Sequence, residues 1–369
     1  MFANQLHTMA NNRDNLPCVS VILAVRNEAE FIATTLRSLV DQSTQNFELE
    51  ILVIDGMSAD GTPERAARIA EAYPRIKLLD NPGKTAPAAF NIGLQAAKGE
   101  YVCILGAHAF YPKEYISVCL SELLAHDAVG CSGKVITRPA HNTLQARLAA
   151  WTLGHRFASS THSVRTQTEG YVDTVPFPLM CKKDLLKAGG YDESLVRNQD
   201  NDMNQRLRKM GYHLFLTAKT HCFYFSRPDV KTLLRHAWRT GFWNAITLSK
   251  RPASMCLRHF VPFLFASTLL LLAVCVLRGL FISPPAARLA AIVLATLISV
   301  HWGIGLLAAI EVGLREHAYE ALLLPPVIFL FHIAYGTGTL AGFVLVLTGL
   351  IRHRLSSLLS IGREFVLNR

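Results

Sequence analysis

The chain has 369 residues, 51% hydrophobic and 17% charged, with a net charge of +10 and a mean hydropathy of +0.26. That balance excludes a disordered chain, which needs low hydrophobicity and high charge, and equally a collagen-like or disulfide-stapled secreted fold. The apolar excess lies late: His259–Arg369 holds seven Lys/Arg and four Asp/Glu, against 30 and 23 in the first 258 residues. A soluble domain with ample residues for a core, followed by a membrane segment, is the organisation expected.

The eight cysteines, at 18, 103, 119, 131, 181, 222, 256 and 275, are scattered without a Cys-x-x-Cys pair or zinc spacing. Cys103 and Cys131 sit in runs that read as buried strands, which fits a reduced, cytoplasmic setting. Met1–Pro17 is polar and has no apolar signal-peptide core, so the soluble part is expected to stay where it is made. The positive charge does not point to nucleic acid. Residues 1–226 are nearly balanced, with 23 basic and 22 acidic residues, whereas 227–258 carry seven basic residues against Asp229 alone. A basic stretch ahead of an apolar span reads as a positive-inside anchor facing anionic lipid.

In chain order, Cys18–Val25 is a short apolar run that predicts a strand, and Asn27 is placed to cap an amphipathic helix over Glu28–Gln42. Leu49–Ile54 predicts a second strand, ended by Asp55-Gly56. A helix over Thr62–Tyr73, a strand over Ile76–Leu79, a helix over Thr85–Lys98 stopped by Gly99, and a strand over Tyr101–Leu105 follow. Such alternation predicts an α/β domain with a mostly parallel sheet covered on both faces. Ligands of such sheets bind beyond the carboxyl ends of the strands, where Asn27, Asp55 and His108 fall.

Later come three stretches free of Asp, Glu, Lys and Arg: Phe260–Leu277, Leu289–Ile310 and Ala321–Ile351, of 18, 22 and 31 residues. The first two suit one span each. The third holds Pro325-Pro326 and Gly336-x-Gly338, and reads either as a tilted, broken helix or as a span plus a re-entrant piece. Three simple spans would put the basic tail opposite the soluble domain, against the positive-inside tendency, which leaves the span count open. Gly338-Thr-Leu-Ala-Gly342 permits close helix packing. The expected layout is a polar tail over 1–16, an α/β domain over 17–226, a basic amphipathic juxtamembrane segment over 227–258, a membrane region over 259–351 and a basic tail over 352–369.

Two nucleotide motifs fail. Gly83-Lys84-Thr85 resembles the end of a P-loop, but Leu78 stands where its first glycine belongs, and no Gly-x-Gly-x-x-Gly opens the first helix. What stands at the strand ends is carboxylate. Asp55 can accept hydrogen bonds from a base imide or a ribose hydroxyl; turn chemistry alone is the other reading, since Asp-Gly is a common turn pair.

Taken together, Val21–Leu39 with its Arg-Asn-Glu-Ala-Glu segment, the Asp55 block, Asn81–Glu100 with Asn91-Ile-Gly93, Gly189-Gly-Tyr-Asp-Glu193, Gln199-Asp200 and Arg206–Gly211 resemble the family 2 inverting glycosyltransferases of GT-A fold. The resemblance covers roughly residues 17–245. It is nearest to the ExoA-type transferases of succinoglycan and related exopolysaccharide assembly, which also have Ala-His followed by Tyr-Pro and a membrane tail. It implies that Asp55 contacts the uracil of a UDP-sugar, with Asn27 and Glu28 in the same pocket, and that Lys84 and Asn91 lie near the nucleotide. The family's metal motif is Asp-x-Asp, whereas this chain reads Gly106-Ala107-His108. His108 is then the remaining candidate for a manganese or magnesium ion or for the diphosphate itself, imidazole suiting manganese better.

The family's base is the Asp of a Glu-Asp or Gln-Asp pair at a helix start, here Gln199-Asp200, with Asp202 as second candidate and structural capping as the alternative. Trp238, Arg239, Phe242 and Trp243 suit an amphipathic helix at the membrane surface, or else line the acceptor mouth together with Gln199. The implied activity is transfer of one sugar to a polyprenyl-diphosphate-linked saccharide at a bacterial-type inner membrane. The protein would be multi-pass with its catalytic domain facing the cytoplasm, in contact with membrane lipids and open to complexes with other glycan-assembly proteins. Two rivals are transfer directly onto a lipid phosphate or glycolipid, and a non-catalytic nucleotide- or glycan-binding scaffold, which the missing carboxylate at Gly106 favours.

Overall fold

The computed structural model describes residues 16–160 and 163–367, with side chains described as far as Gly349 apart from Leu280. Residues 1–15 of the expected N-terminal tail, and the side chains of the basic C-terminal tail, lie outside this description. The chain divides into two compact units, Met1–Arg227 and Pro228–Arg369.

The first unit opens as the alternation predicts: β1 (Cys18–Val25), α1 (Ile32–Val40), β2 (Glu48–Asp55), α2 (Thr62–Ala70), β3 (Ile76–Asp80), α3 (Ala86–Ala96) and β4 (Tyr101–Gly106). These four strands are parallel, in the order β3-β2-β1-β4. Successive residues of a strand point to opposite faces, and both faces are apolar. On β1 and β2, Val21, Leu23, Ile51 and Val53 pack with Ile32, Leu36 and Leu39 of α1. Their neighbours Ile22, Leu52 and Ile54 pack with Ala89, Phe90 and Leu94 of α3 on the other face. Burying one such side chain stabilises the fold by about 1.5–3 kcal/mol, and a one-residue slip of β1 would place either Ser20 and Ile22 or Ile22 and Ala24 where Val21 and Leu23 now pack.

The sheet then becomes mixed. After β5 (Ala109–Phe110), α4 (Tyr115–Ala125) and β6 (Gly130–Arg138) come α5 (Leu144–Gly154), α6 (Arg156–Ser159), β7 (Gly170–Tyr171), β8 (Leu179–Cys181), α7 (Lys182–Lys187), α8 (Gln199–Lys209) and β9 (Leu214–Phe225). Strand β8 pairs antiparallel with both β4 and β6, β6 pairs parallel with β9, and β9 also pairs antiparallel with β5 and β7. Strand order reverses at β1 and β4, because β2 and β3 lie on one side of β1 and β4 on the other. Cys103, Cys119, Cys131 and Cys222 are buried as free thiols.

One local expectation is corrected. Asn27 does not cap the first helix, which begins at Ile32 after Phe31. Residue 27 has a φ of +55°, and its Oδ1 accepts from Ala59 N at 3.0 Å. The bond to the next crossover wins, and the segment before α1 becomes a loop.

In the second unit, α9 (Val230–Lys250) is capped by Asp229, whose Oδ1 accepts from Thr232 N at 2.6 Å. Three long apolar helices follow: α10 (Val261–Ile282), α11 (Pro284–Glu316) and α12 (Leu324–Leu367). Among the described residues, three segments are long and apolar enough to cross a membrane: Leu257–Gly279, Pro284–Glu316 and Tyr319–Gly349. Pro325-Pro326 does not break the third. It lies in the first turn of a continuous helix, where the N–H that proline lacks has no intrahelical acceptor anyway.

The Gly338–Gly342 segment acquires a partner. A Cβ on Gly338 would collide with the carbonyl of Trp238, one on Gly342 with that of Phe242, and one on Gly241 with that of Tyr335. Helices α9 and α12 therefore meet backbone to backbone through small residues. Asn244 adds a side-chain hydrogen bond of 2.5 Å to the Tyr335 hydroxyl.

Candidate active site

The loops after β1, β2 and β4 converge where strand order reverses, the position at which open α/β sheets bind ligands. The first two are laced together. Asn27 N donates to Ser58 Oγ at 2.8 Å, Glu28 N to Thr62 Oγ1 at 2.8 Å, and Ala29 N to Asp60 Oδ2 at 3.0 Å. Asp60 also accepts from Thr62 N at 3.1 Å and from Thr62 Oγ1 at 2.6 Å. Partial burial works to raise its pKa, but these bonds outweigh that and hold its carboxyl below the usual range.

Asp55, half-buried at the end of β2, accepts from Ser58 N at 2.9 Å and from Ser58 Oγ at 2.5 Å. Each carboxylate oxygen keeps acceptor capacity for a further donor. The turn reading and the ligand reading of Asp55 are therefore compatible. Lys84 has a φ of +58°, and its carbonyl accepts from Arg26 Nη1 at 3.2 Å, which ties its loop to the one after β1.

His108 joins this platform from the other side of β1. Its Nδ1 lies 3.1 Å from Glu28 Oε1 and its Nε2 3.3 Å from the Tyr224 hydroxyl, while its carbonyl accepts from Phe225 N at 3.0 Å. Burial opposes the imidazolium, but the Tyr224 oxygen and the Glu28 carboxylate outweigh it and raise His108 to about 9. Burial likewise works to raise Tyr224, yet His108, Arg227 and Arg165 bring it down to about 8. Arg165 lies over the Tyr224 ring, 5.0 Å from its centroid. The two groups act as one pair, and the direction that follows from Glu28 is a protonated imidazole.

These residues do not fit the divalent ion that the Asp-x-Asp pattern of the family implies. Gly106 offers no ligand, and a Cβ there would lie 2.7 Å from Cε1 of Phe177. The Phe177 ring fills the space a carboxylate at position 106 would need. Both nitrogens of His108 already face protein partners. Among the described residues, no three His, Cys, Asp or Glu side chains converge to hold an ion.

The second half of the site is built on α8. Asn198, with a φ of +64°, precedes the helix, Gln199 is its first residue, and Asp200 and Asp202 lie in its first turn. Asp200 is reached by solvent, but protein crowds it, and the lost solvation pushes its carboxyl up to about 6. Asp202 is fully buried, and its Oδ2 accepts from Arg206 Nε at 2.9 Å. Arg206 in turn donates to the carbonyls of Ala188 and Gly190. Asp202 thus anchors a clamp between α8 and the Ala188–Gly190 loop.

Asn91 completes that clamp from α3. Its Nδ2 donates to Tyr191 O and Glu193 Oε1, each at 2.9 Å, and its Oδ1 accepts from Tyr191 N at 2.8 Å. Gly190 has a φ of +70°, and a Cβ there would meet Asn91 Oδ1 at 2.9 Å, so the loop needs glycine for both backbone and space. The Tyr191 ring packs on Phe90 at 4.9 Å. Asp200 also acts electrostatically on Tyr191.

The structure therefore groups Asn27, Glu28, Asp55 and His108 in one hydrogen-bonded platform, with Lys84 on an adjoining loop. It ties Asn91 to the loop ahead of Gln199 and Asp200. Trp238, Arg239 and Trp243 lie on α9, in the second unit. Sequence reasoning missed Tyr224, Arg165, Arg227 and Phe177. No local pattern marks them, because strand pairing and packing bring them to β4 from 59 to 121 positions away. Sequence reasoning read Thr62 only as the start of a helix and gave Ser58 no role.

The glycosyl transferase family 2 model matches residues 20–187. The succinoglycan biosynthesis protein ExoA of Rhizobium meliloti (strain 1021) is 28% identical over 247 residues, 66% of this chain and 73% of that protein. A dolichyl N-acetyl-alpha-D-glucosaminyl phosphate 3-beta-D-2,3-diacetamido-2,3-dideoxy-beta-D-glucuronosyltransferase of Methanococcus voltae is 23% identical over 88% of this chain and 97% of its own. Among solved structures, the mannosyltransferase PcManGT from Pyrobaculum calidifontis, in complex with GDP-Man and Mn2+, superposes with a TM-score of 0.50 at 18% identity. That match covers 90% of this chain and 93% of the mannosyltransferase. Residues 20–187 match glycosyl transferase family 2, and the chain is a glycosyltransferase of glycan biosynthesis with a GT-A-like sheet domain and, among the described residues, three long apolar C-terminal helices.

Proposed function

We propose that the protein transfers one sugar, with inversion, from a UDP-sugar to a polyprenyl-diphosphate-linked saccharide at the cytoplasmic face of a membrane. Residues 17–226 are read as the catalytic domain, 227–258 as a juxtamembrane segment and 259–351 as the membrane region. The platform of Asn27, Glu28 and Asp55 takes the nucleoside, and Lys84 offers its charge nearby. Asp200 is the base. The acceptor hydroxyl oxygen attacks the anomeric carbon, its proton passes to Asp200, and the bond to the diphosphate breaks with its electron pair leaving on the nucleotide.

The observation that carries this reading is Asp200 itself: a carboxylate in the first turn of α8, open to solvent and held to about 6 by its surroundings. A base poised near the working pH both stays ionised and accepts a proton readily. The dolichyl-phosphate substrate named for the Methanococcus relative supports a polyprenyl-type acceptor. The ExoA relative supports an exopolysaccharide role.

The test is transfer from labelled nucleotide sugars into the lipid fraction of membranes carrying the protein, beside Asp200→Asn. Incorporation of one sugar, lost in the variant, is the expected result. Equal incorporation by the variant would exclude Asp200 as base. No incorporation from any donor, with acceptor shown to be present, would return the protein to a scaffold role.

A further inference from the structure

The departure at Gly106 removes a metal ligand, and it also leaves the charge of a diphosphate to be met by something else. Arg165 and His108 lie against one tyrosine at this strand end. The His108 ring is 5.1 Å from the Tyr224 ring, centroid to centroid. The Arg165 guanidinium is 5.0 Å from the same centroid, and Arg227 acts electrostatically on both His108 and Tyr224. Glu28 faces His108 in hydrogen-bond contact. The Nε of Arg165 is buried and has no hydrogen-bond partner among the described residues. A buried N–H with no acceptor is costly unless an anion meets it, and the planar guanidinium fork matches phosphate oxygens.

The place of the missing carboxylate is firmly closed. The Phe177 ring lies edge-on to Tyr111 at 6.0 Å and stacks with Tyr224 at 6.2 Å. Its carbonyl accepts from the Tyr115 hydroxyl at 2.9 Å. Residue 177 holds a φ of +46°, a conformation uncommon outside glycine that persists when packing over-determines it. The Tyr111 hydroxyl accepts from Gly106 N at 2.9 Å and lies 3.2 Å from Gly106 O, to which it can donate. Aromatic packing thus grips the end of β4.

We propose that this enzyme holds the donor diphosphate with a fixed cation of its own, Arg165, and that Phe177 closes the metal ligand position at Gly106, so that nucleotide binding needs no divalent ion. The inference rests on the reading of the strand-end platform as a nucleotide-sugar site. Its chemical ligand is a nucleoside diphosphate moiety, recognised by charge and by bidentate hydrogen bonding.

The experiment is calorimetric titration of the full-length protein in detergent with UDP, GDP and uridine, once with chelator and once with manganese. UDP affinity equal in both conditions within about twofold is expected. Arg165→Ala should weaken UDP by at least about tenfold and leave uridine binding unchanged, a split that a merely structural role would not produce. Gly106→Asp combined with Phe177→Ala should make UDP binding tighten on adding manganese. UDP binding to the unaltered protein that appears only with manganese would overturn the inference and leave the nucleotide-sugar reading standing. No binding of UDP or GDP in either condition would overturn both. The unaltered protein supplies these deciding comparisons even if a variant fails to fold.

Discussion

Glu28 and His108 face each other at 3.1 Å across 80 residues of sequence, one from the loop after the first strand and the other from the end of the fourth. The contact joins the nucleoside side of the platform to the strand end where the family's metal motif would stand. It also decides the charge of the imidazole. With Glu28→Gln the imidazolium loses its ionic partner while its burial stays, so His108 should fall from about 9 by at least about one unit. Histidine resonances followed by NMR against pH measure this directly. An unmoved titration would show that Glu28 does not hold the charge.

Asp200 must be ionised to accept the acceptor's proton. Transfer should therefore rise with pH up to about 6 and level off above it, since the carboxyl is held at about 6 by lost solvation. Asp200→Asn should reduce turnover by about 10²–10⁴-fold with nucleotide affinity unchanged. A pH–rate profile still rising well above 7 would point to another base.

Asp202 should behave differently from its neighbour two residues earlier. It is fully buried and paired with Arg206, which holds the Ala188 and Gly190 carbonyls. Removing one partner of a buried pair costs about 3–5 kcal/mol. Asp202→Ala is thus expected to lower the thermal midpoint and the yield of folded protein, with activity lost in proportion. A fully stable but inactive Asp202→Ala would contradict this assignment.

Asn91 separates two roles. Its three hydrogen bonds all go to Tyr191 and Glu193. Asn91→Ala should loosen the loop ahead of α8 and lower kcat, leaving nucleotide affinity within about twofold. A selective loss of nucleotide affinity would instead make Asn91 a direct contact.

Gly342 tests the small-residue seam in the second unit. A Cβ there would collide with the Phe242 carbonyl and approach Ala245 Cβ at 2.9 Å. Gly342→Leu should force α9 and α12 apart, at a cost of about 1–3 kcal/mol or more. Faster proteolysis of residues 228–349 in membranes would report it. Gly303→Leu is the control, since nothing lies within 4 Å of a Cβ at that position.

The strands, the helices between them and the apolar spans were legible in sequence because each is written in one dimension. Cys18–Val25, Leu49–Ile54 and Tyr101–Leu105 are apolar runs of strand length bounded by turn residues, and the late stretches are long and uncharged. The candidate base was legible as well, as the Asp of Gln199-Asp200 at a helix start. Asn27 shows where such reading stops. Its local pattern says cap, but a backbone N–H 32 residues away competes for the same side chain and wins.

The pairing of His108 with Glu28, the closing of the Gly106 position and the burial of Asp202 against Arg206 belong to tertiary structure alone. Each depends on what stands opposite: Glu28 and Tyr224 at His108, Phe177 at Gly106, Arg206 at Asp202. Propensity and periodicity act between neighbours along the chain. Desolvation, ion pairing and steric exclusion act between neighbours in space, and only the folded sheet brings those side chains within reach of one another.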